Sequence, residues 1–208
     1  IARAVYDTIS HQFEHRYFLR DVREGFMKKG GEVRMQHQFL SGILKVNLNN
    51  FDENYMMMLK KLGREKILVV LDDVSRPLEI DALLGSPKER SFGCGSKVIV
   101  TTRDEQVVGG FRKYKPKPLS DPDALELFNQ NAFTTMPPSE EYDDLSKRAI
   151  KYARGLPLAL KILGAHLRDR SASEWECELE KIKSIPNPDI HDVLKISFDG
   201  LDASQKNI

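Results

Sequence analysis

Net charge of either sign is nearly absent from this 208-residue sequence, in which 32 lysines and arginines face 31 aspartates and glutamates. That balance gives no argument for a nucleic-acid or membrane-surface partner. Cysteine is scarce too. Cys94 and Cys177 sit far apart, with no CxxC or other metal-ligand spacing, and read as two reduced thiols. No apolar run approaches the ~20 residues that cross a bilayer, and neither a signal peptide nor a transmembrane segment is expected in these residues. The composition that remains, 40% hydrophobic and 30% charged, is that of a globular chain holding one large domain or two small ones.

The chain opens on Ile1, Val5 and Ile9, apolar at i, i+4 and i+8, and Ile1 to Phe13 reads as an amphipathic helix with no N-cap residue before it. A helix without its start leads us to expect a fragment. "YFLRDV" (17–22) reads as a strand, "KKGGE" as a polar turn, and Met35 to Val46 and Tyr55 to Gly63 as helices, the latter capped by Gly63. The three methionines at 56–58 read as core filling. "KILVVLDDVSR" (66–76) carries the strongest strand, Lys66 to Leu71. Pro77 then opens a helix that Gly85 closes, and "SKVIVTTRD" (96–104) supplies a second buried strand. Strands alternating with helices predict an α/β parallel sheet. After the proline-rich link "YKPKPLSDPDA" only helical patterns follow, at 123–133, 139–153, 158–167, 173–184 and about 190–198. A capping box is expected at Ser173 and Glu176. His166 reads as a structural histidine and Trp175 as a packing residue.

Ligands of open parallel sheets bind at the carboxyl ends of the strands. There this sequence places Asp72 and Asp73 on one strand, and Thr101, Thr102 and Arg103 on the other. An aspartate after an apolar strand can hold Mg²⁺, a second carboxylate can orient or deprotonate water, and a neighbouring arginine can reach a terminal phosphate. Two other readings remain open at this point. The aspartates could be a turn cap and an ion pair, or a receiver-type phosphoacceptor cluster. The phosphate-cradling motif G-x-x-x-x-G-K-[ST] does not occur in the 208 residues. Taken with the uncapped first helix, it is expected just upstream of Ile1.

Several blocks together resemble the NB-ARC domain of plant NLR immune receptors. "KILVVLDDVSR" resembles its Walker B block, "GSKVIVTTRD" the strand with the sensor arginine, and "YARGLPLALKILGAHL" the GLPL motif. "FLRDVRE" (18–24) is similar to the corresponding block of receptors with an N-terminal TIR domain. Ser75 agrees, because coiled-coil receptors usually carry Trp after "LDDV". "LKISFDGLD" (194–202) resembles the start of a winged helix.

The resemblance implies a P-loop NTPase-type α/β domain over 1–118, a helical subdomain over 119–187 and the start of a winged helix over 188–208. It implies an ADP/ATP switch, resting with ADP and oligomerising with ATP, with weak hydrolysis in the intact protein. Asp72 would bind Mg²⁺, Asp73 would be the catalytic base, and Arg103 and Thr102 would attend the terminal phosphate. Pro157 and Leu158 would face the adenine. TIR and leucine-rich-repeat domains in the same chain are the expected partners, in a cytoplasmic or nucleocytoplasmic setting. The fragment itself is expected to bind nucleotide weakly or not at all, since each lost phosphate contact is a charge-assisted hydrogen bond of roughly 1.5–3 kcal/mol. The alternative is a degenerate interaction module that binds no nucleotide.

Overall fold

The computed structural model describes residues 1–46, 55–133 and 139–183. The chain divides into two compact units, Ile1–Tyr114 and Lys115–Ile208. The expected winged-helix start (188–208) and the helix near 190–198 lie outside the described residues.

The first unit is α/β. Helix α1 (Ala2–Ile9) leads through a 3-10 turn into strand β1 (His15–Leu19), followed by α2 (Val22–Met27), α3 (Gly31–Leu44), α4 (Tyr55–Lys61), β2 (Ile67–Val74), α5 (Pro77–Leu84) and β3 (Lys97–Thr102). The three strands are parallel in the order β1-β2-β3, so β2 is central. Its unbroken apolar run is explained by that position. Ile67 to Leu71 are fully buried because helices cover both faces of the sheet. At about 1.5–3 kcal/mol per fully buried aliphatic side chain, this strand is the main anchor of the unit. Phe39, Leu40 and Ile43 of α3 and Ile80, Leu83 and Leu84 of α5 complete the core.

Several boundaries differ from the sequence reading. The first strand starts two residues before Tyr17 and ends at Leu19, since Asp21 turns into the left-handed region (φ 51°) and buried Val22 already belongs to α2. Gly63 is not a left-handed cap. The chain tightens into a 3-10 turn over Leu62–Arg64, and Gly63 sits inside it, where a Cβ would meet the Ser91 carbonyl at 3.0 Å. Of the three methionines only Met58 is buried, while Met56 is half-buried and Met57 exposed. Pro77 and Gly85 do bracket α5.

The described part of the second unit contains helices and no strand: α6 (Asp121–Ala132), α7 (Glu140–Ala153), α8 (Pro157–Leu167) and α9 (Ala172–Lys183). Its core gathers Phe128, Ala149, Leu160, Leu163, Leu179 and Ile182 around Trp175, whose indole N–H donates to the Leu167 carbonyl at 2.6 Å. Phe128, Phe133 and Tyr142 all pack on the indole, with centroids 4.9–5.6 Å away. The serine–glutamate pair that starts α9 lies two residues earlier than expected. The Ser171 N–H and hydroxyl both donate to Glu174, at 2.8 and 2.7 Å, while Glu176 is drawn to Arg148 of α7 instead.

Candidate functional site

The site forms where β2 and β3 end. Through Leu71 the two strands stay in register, and between Leu71 and Val74 the pairing slips by a bulge that contains Asp72 and Asp73. Asp73 takes a left-handed backbone (φ 56°), which aspartate tolerates better than most residues. Bulges re-aim side chains beside functional sites. Here the result is that consecutive carboxylates both face one crevice of about 350 Å³, lined by Asp21, Asp72, Asp73, Thr101, Thr102 and Arg103.

Thr101 ties the pair together. Its hydroxyl donates to Asp72 Oδ1 at 2.6 Å and accepts the Asp73 backbone N–H at 2.9 Å. Asp73 is held from two further sides, by Arg23 Nε at 2.9 Å on Oδ2 and by Arg103 Nε at 3.5 Å from Oδ1. Thr102 lines the same crevice but makes its hydrogen bonds to the Asp104 backbone. Its hydroxyl receives the Asp104 N–H at 3.1 Å and closes the bend that projects Arg103. Thus Asp72, Asp73, Thr102 and Arg103 share one crevice, as the strand-end reasoning expected.

The exit from β2 is locked by a residue not singled out in the sequence. Glu79 of α5 is buried, and it accepts hydrogen bonds from the Ser75 N–H and hydroxyl (both 2.8 Å) and from the Arg76 N–H (3.2 Å) and Nε (3.1 Å). Burial alone would raise its carboxyl, but these donors outweigh burial and hold it below the usual carboxylate range. The signal was present in the string Arg76-Pro77-Leu78-Glu79, a proline at the first helical position with an acid two residues on. Thr101 could have been found from its place on a strand next to the aspartates. Arg23 could not, since nothing local to "FLRDVRE" points to a carboxylate fifty residues away.

Pro157 and Leu158 belong to the second unit. Arg154 (φ 49°) and Gly155 (φ 69°) form two successive left-handed steps that end α7, and Pro157 opens α8. The turn is tied down because the Leu119 N–H donates to the Gly155 carbonyl at 2.9 Å and a Cβ on Gly155 would crowd the Leu119 carbonyl at 2.6 Å. Leu156, Pro157 and Leu158 consequently stand exposed, three apolar residues in a row at a helix start. His166 is buried and shares a hydrogen bond with Glu178 at 3.0 Å, and no group of three or more His, Cys, Asp or Glu among the described residues is placed to hold a metal ion by itself. Both cysteines are free thiols.

Comparison with known proteins decides the family. The NB-ARC domain family matches residues 2–137. The chain belongs to the NB-ARC family. Over its whole length it is also 36% identical to TMV resistance protein N of Nicotiana glutinosa, covering 19% of that protein. It is 38% identical to disease resistance protein RUN1 and 37% to disease resistance protein RPV1, both of Vitis rotundifolia, covering 16% and 15% of them. The chain thus spans a fifth or less of the length of these curated relatives. The match to relatives runs through the GLPL block of the second unit, which lies beyond the residues matched by the NB-ARC family. Family membership removes the receiver-type reading of the two aspartates.

The donor set suits the groups this family implies. Carboxylate oxygens of Asp72 and Asp73 and the Thr101 hydroxyl are hard donors of the kind Mg²⁺ prefers. A nucleotide-bound Mg²⁺ needs only one or two carboxylates from the protein, the rest coming from phosphate and water. No helix among the described residues is long and apolar enough to cross a membrane.

Proposed function

We propose that this chain is the nucleotide-binding module of a plant immune receptor of the TIR-containing class, a switch that rests with ADP and oligomerises with ATP. One observation carries the reading. Asp72, Asp73, Thr101 and Arg103 converge on a single crevice at the carboxyl ends of two parallel strands, in a chain of the NB-ARC family. Asp72 is the residue to hold Mg²⁺, with its Oδ1 oriented by Thr101. When bound, the ion neutralises charge on the phosphate oxygens. Asp73 is the base that accepts a proton from water, and Arg103, exposed on its bend, reaches the terminal phosphate. Thr102 sets that bend. Pro157 and Leu158 offer the apolar face for adenine from the helical subdomain. TIR and leucine-rich-repeat domains act in the same polypeptide, in the cytoplasm or between cytoplasm and nucleus.

The test is Mg-ADP binding by the intact protein, followed by titration calorimetry. Asp72→Ala is expected to weaken Mg-dependent binding at least tenfold, and binding indifferent to that substitution would overturn the reading. A second reading, an interaction module without nucleotide, is favoured by the guanidinium groups already engaging both oxygens of Asp73. It predicts no ADP binding by the wild type at all.

A further inference from the structure

The two arginines on Asp73 are not equivalent. Arg23 approaches Oδ2 at 2.9 Å from helix α2, with its side chain only 39% exposed. Arg103 stands 3.5 Å from Oδ1, with 80% of its side chain in solvent. The first distance is a full N–H···O hydrogen bond, whereas the second is a long ion pair that water screens. The Asp73 backbone is fixed independently, by the bulge and by the bond from its N–H to Thr101. With the backbone pinned and Oδ2 occupied by Arg23, only Oδ1 is left to Arg103.

We propose that Arg23 is a positioning residue that keeps Arg103 exchangeable. By occupying Oδ2 it denies Arg103 the two-oxygen grip that a planar guanidinium otherwise makes on a carboxylate. Arg103 is then held by one weak contact and can leave for a terminal phosphate. Without Arg23 both oxygens of Asp73 face Arg103, the fork closes on the carboxylate, and the phosphate must compete with it. The penalty falls on a triphosphate and spares a diphosphate, which lacks the group Arg103 would reach. This inference rests on the nucleotide reading above.

The experiment compares Mg-ADP with a non-hydrolysable Mg-ATP analogue on the intact protein by titration calorimetry, in the wild type, Arg23→Ala, Arg23→Lys, Asp73→Asn and the Arg23→Ala/Asp73→Asn double variant. Arg23→Ala is expected to lower analogue affinity fivefold or more while ADP affinity changes less than twofold, which also certifies that the variant is folded. Arg23→Lys, returning a cation to Oδ2, is expected to recover most of the loss. In the Asp73→Asn background, where no carboxylate remains to grip Arg103, Arg23→Ala should change nothing further. Equal weakening of both nucleotides, no change in either, or the same loss in the Asp73→Asn background would each overturn the proposal while leaving the nucleotide reading intact. A wild type that binds neither nucleotide would overturn both.

Discussion

Glu79 shows how a single side chain away from the crevice controls it. Its four hydrogen bonds hold Ser75 and Arg76, the two residues that follow the bulge carrying Asp72 and Asp73. Truncation to alanine strips two backbone N–H groups of their acceptor and leaves a buried hole. We expect Glu79→Ala to cost about 2–4 kcal/mol, read as a lower midpoint in urea unfolding. Because the folded carboxyl lies below its unfolded value, its stabilising contribution is complete above the unfolded pKa of roughly 4.3 and is lost as pH falls through the folded one. The stability gap between wild type and Glu79→Gln should therefore hold steady from pH 7 to about pH 5 and close below that. A gap that closed instead toward alkaline pH would show that the carboxylate is not what the donors stabilise.

At the scale of elements, α6 and α8 pack through Gly164. A Cβ there would meet Asn131 Cβ at 2.9 Å, the Phe128 carbonyl at 3.0 Å and the Ala132 nitrogen at 3.2 Å, two of them backbone atoms that cannot rotate aside. Alanine gains about 1 kcal/mol of helix propensity, but overpacking of a rigid contact costs typically 1–3 kcal/mol. The second effect wins where backbone must shift, so Gly164→Ala should destabilise the helical unit by about 1–2 kcal/mol, measured by loss of buried-tryptophan fluorescence on denaturation.

Elements were also where the sequence was most and least readable. The central strand was plain because five consecutive apolar residues admit few other fates, and its aspartates were plain because charge directly after such a run needs a reason. The first strand was misplaced because "HRYFLRDV" mixes apolar and charged residues on both sides of the break at Leu19, and the left-handed backbone of Asp21 that ends it has no clear mark in the string. The helix start at Ser171 was hidden by a duplicate. Ser171–Glu174 and Ser173–Glu176 are both serine-to-acid pairs at the same spacing, and the choice between them is made by Arg148, whose guanidinium claims both Glu176, at 2.7 Å, and Glu180, at 2.8 Å. Such long-range pairing leaves no local trace. The same holds for Arg23 on Asp73, which is why the strand-end residues could be named from sequence and their principal restraint could not.

At the scale of the molecule, the two units own separate hydrophobic clusters, one around β2 and one around Trp175. The sequence contains one tryptophan, and it is buried in the helical unit. That gives the second unit its own reporter, since tryptophan fluorescence follows it alone while far-UV circular dichroism follows the helices and strands of both. A domain with its own core can melt on its own, and coincidence of probes is the test of a single transition. We therefore expect Glu79→Ala to bring forward an early phase in the circular-dichroism melt while the fluorescence midpoint moves by less than about half as much. Gly164→Ala should do the reverse, shifting fluorescence first. If both variants moved both probes by the same amount, the two cores would be unfolding as one body, and a nucleotide held in the first unit would stabilise the second to the same degree.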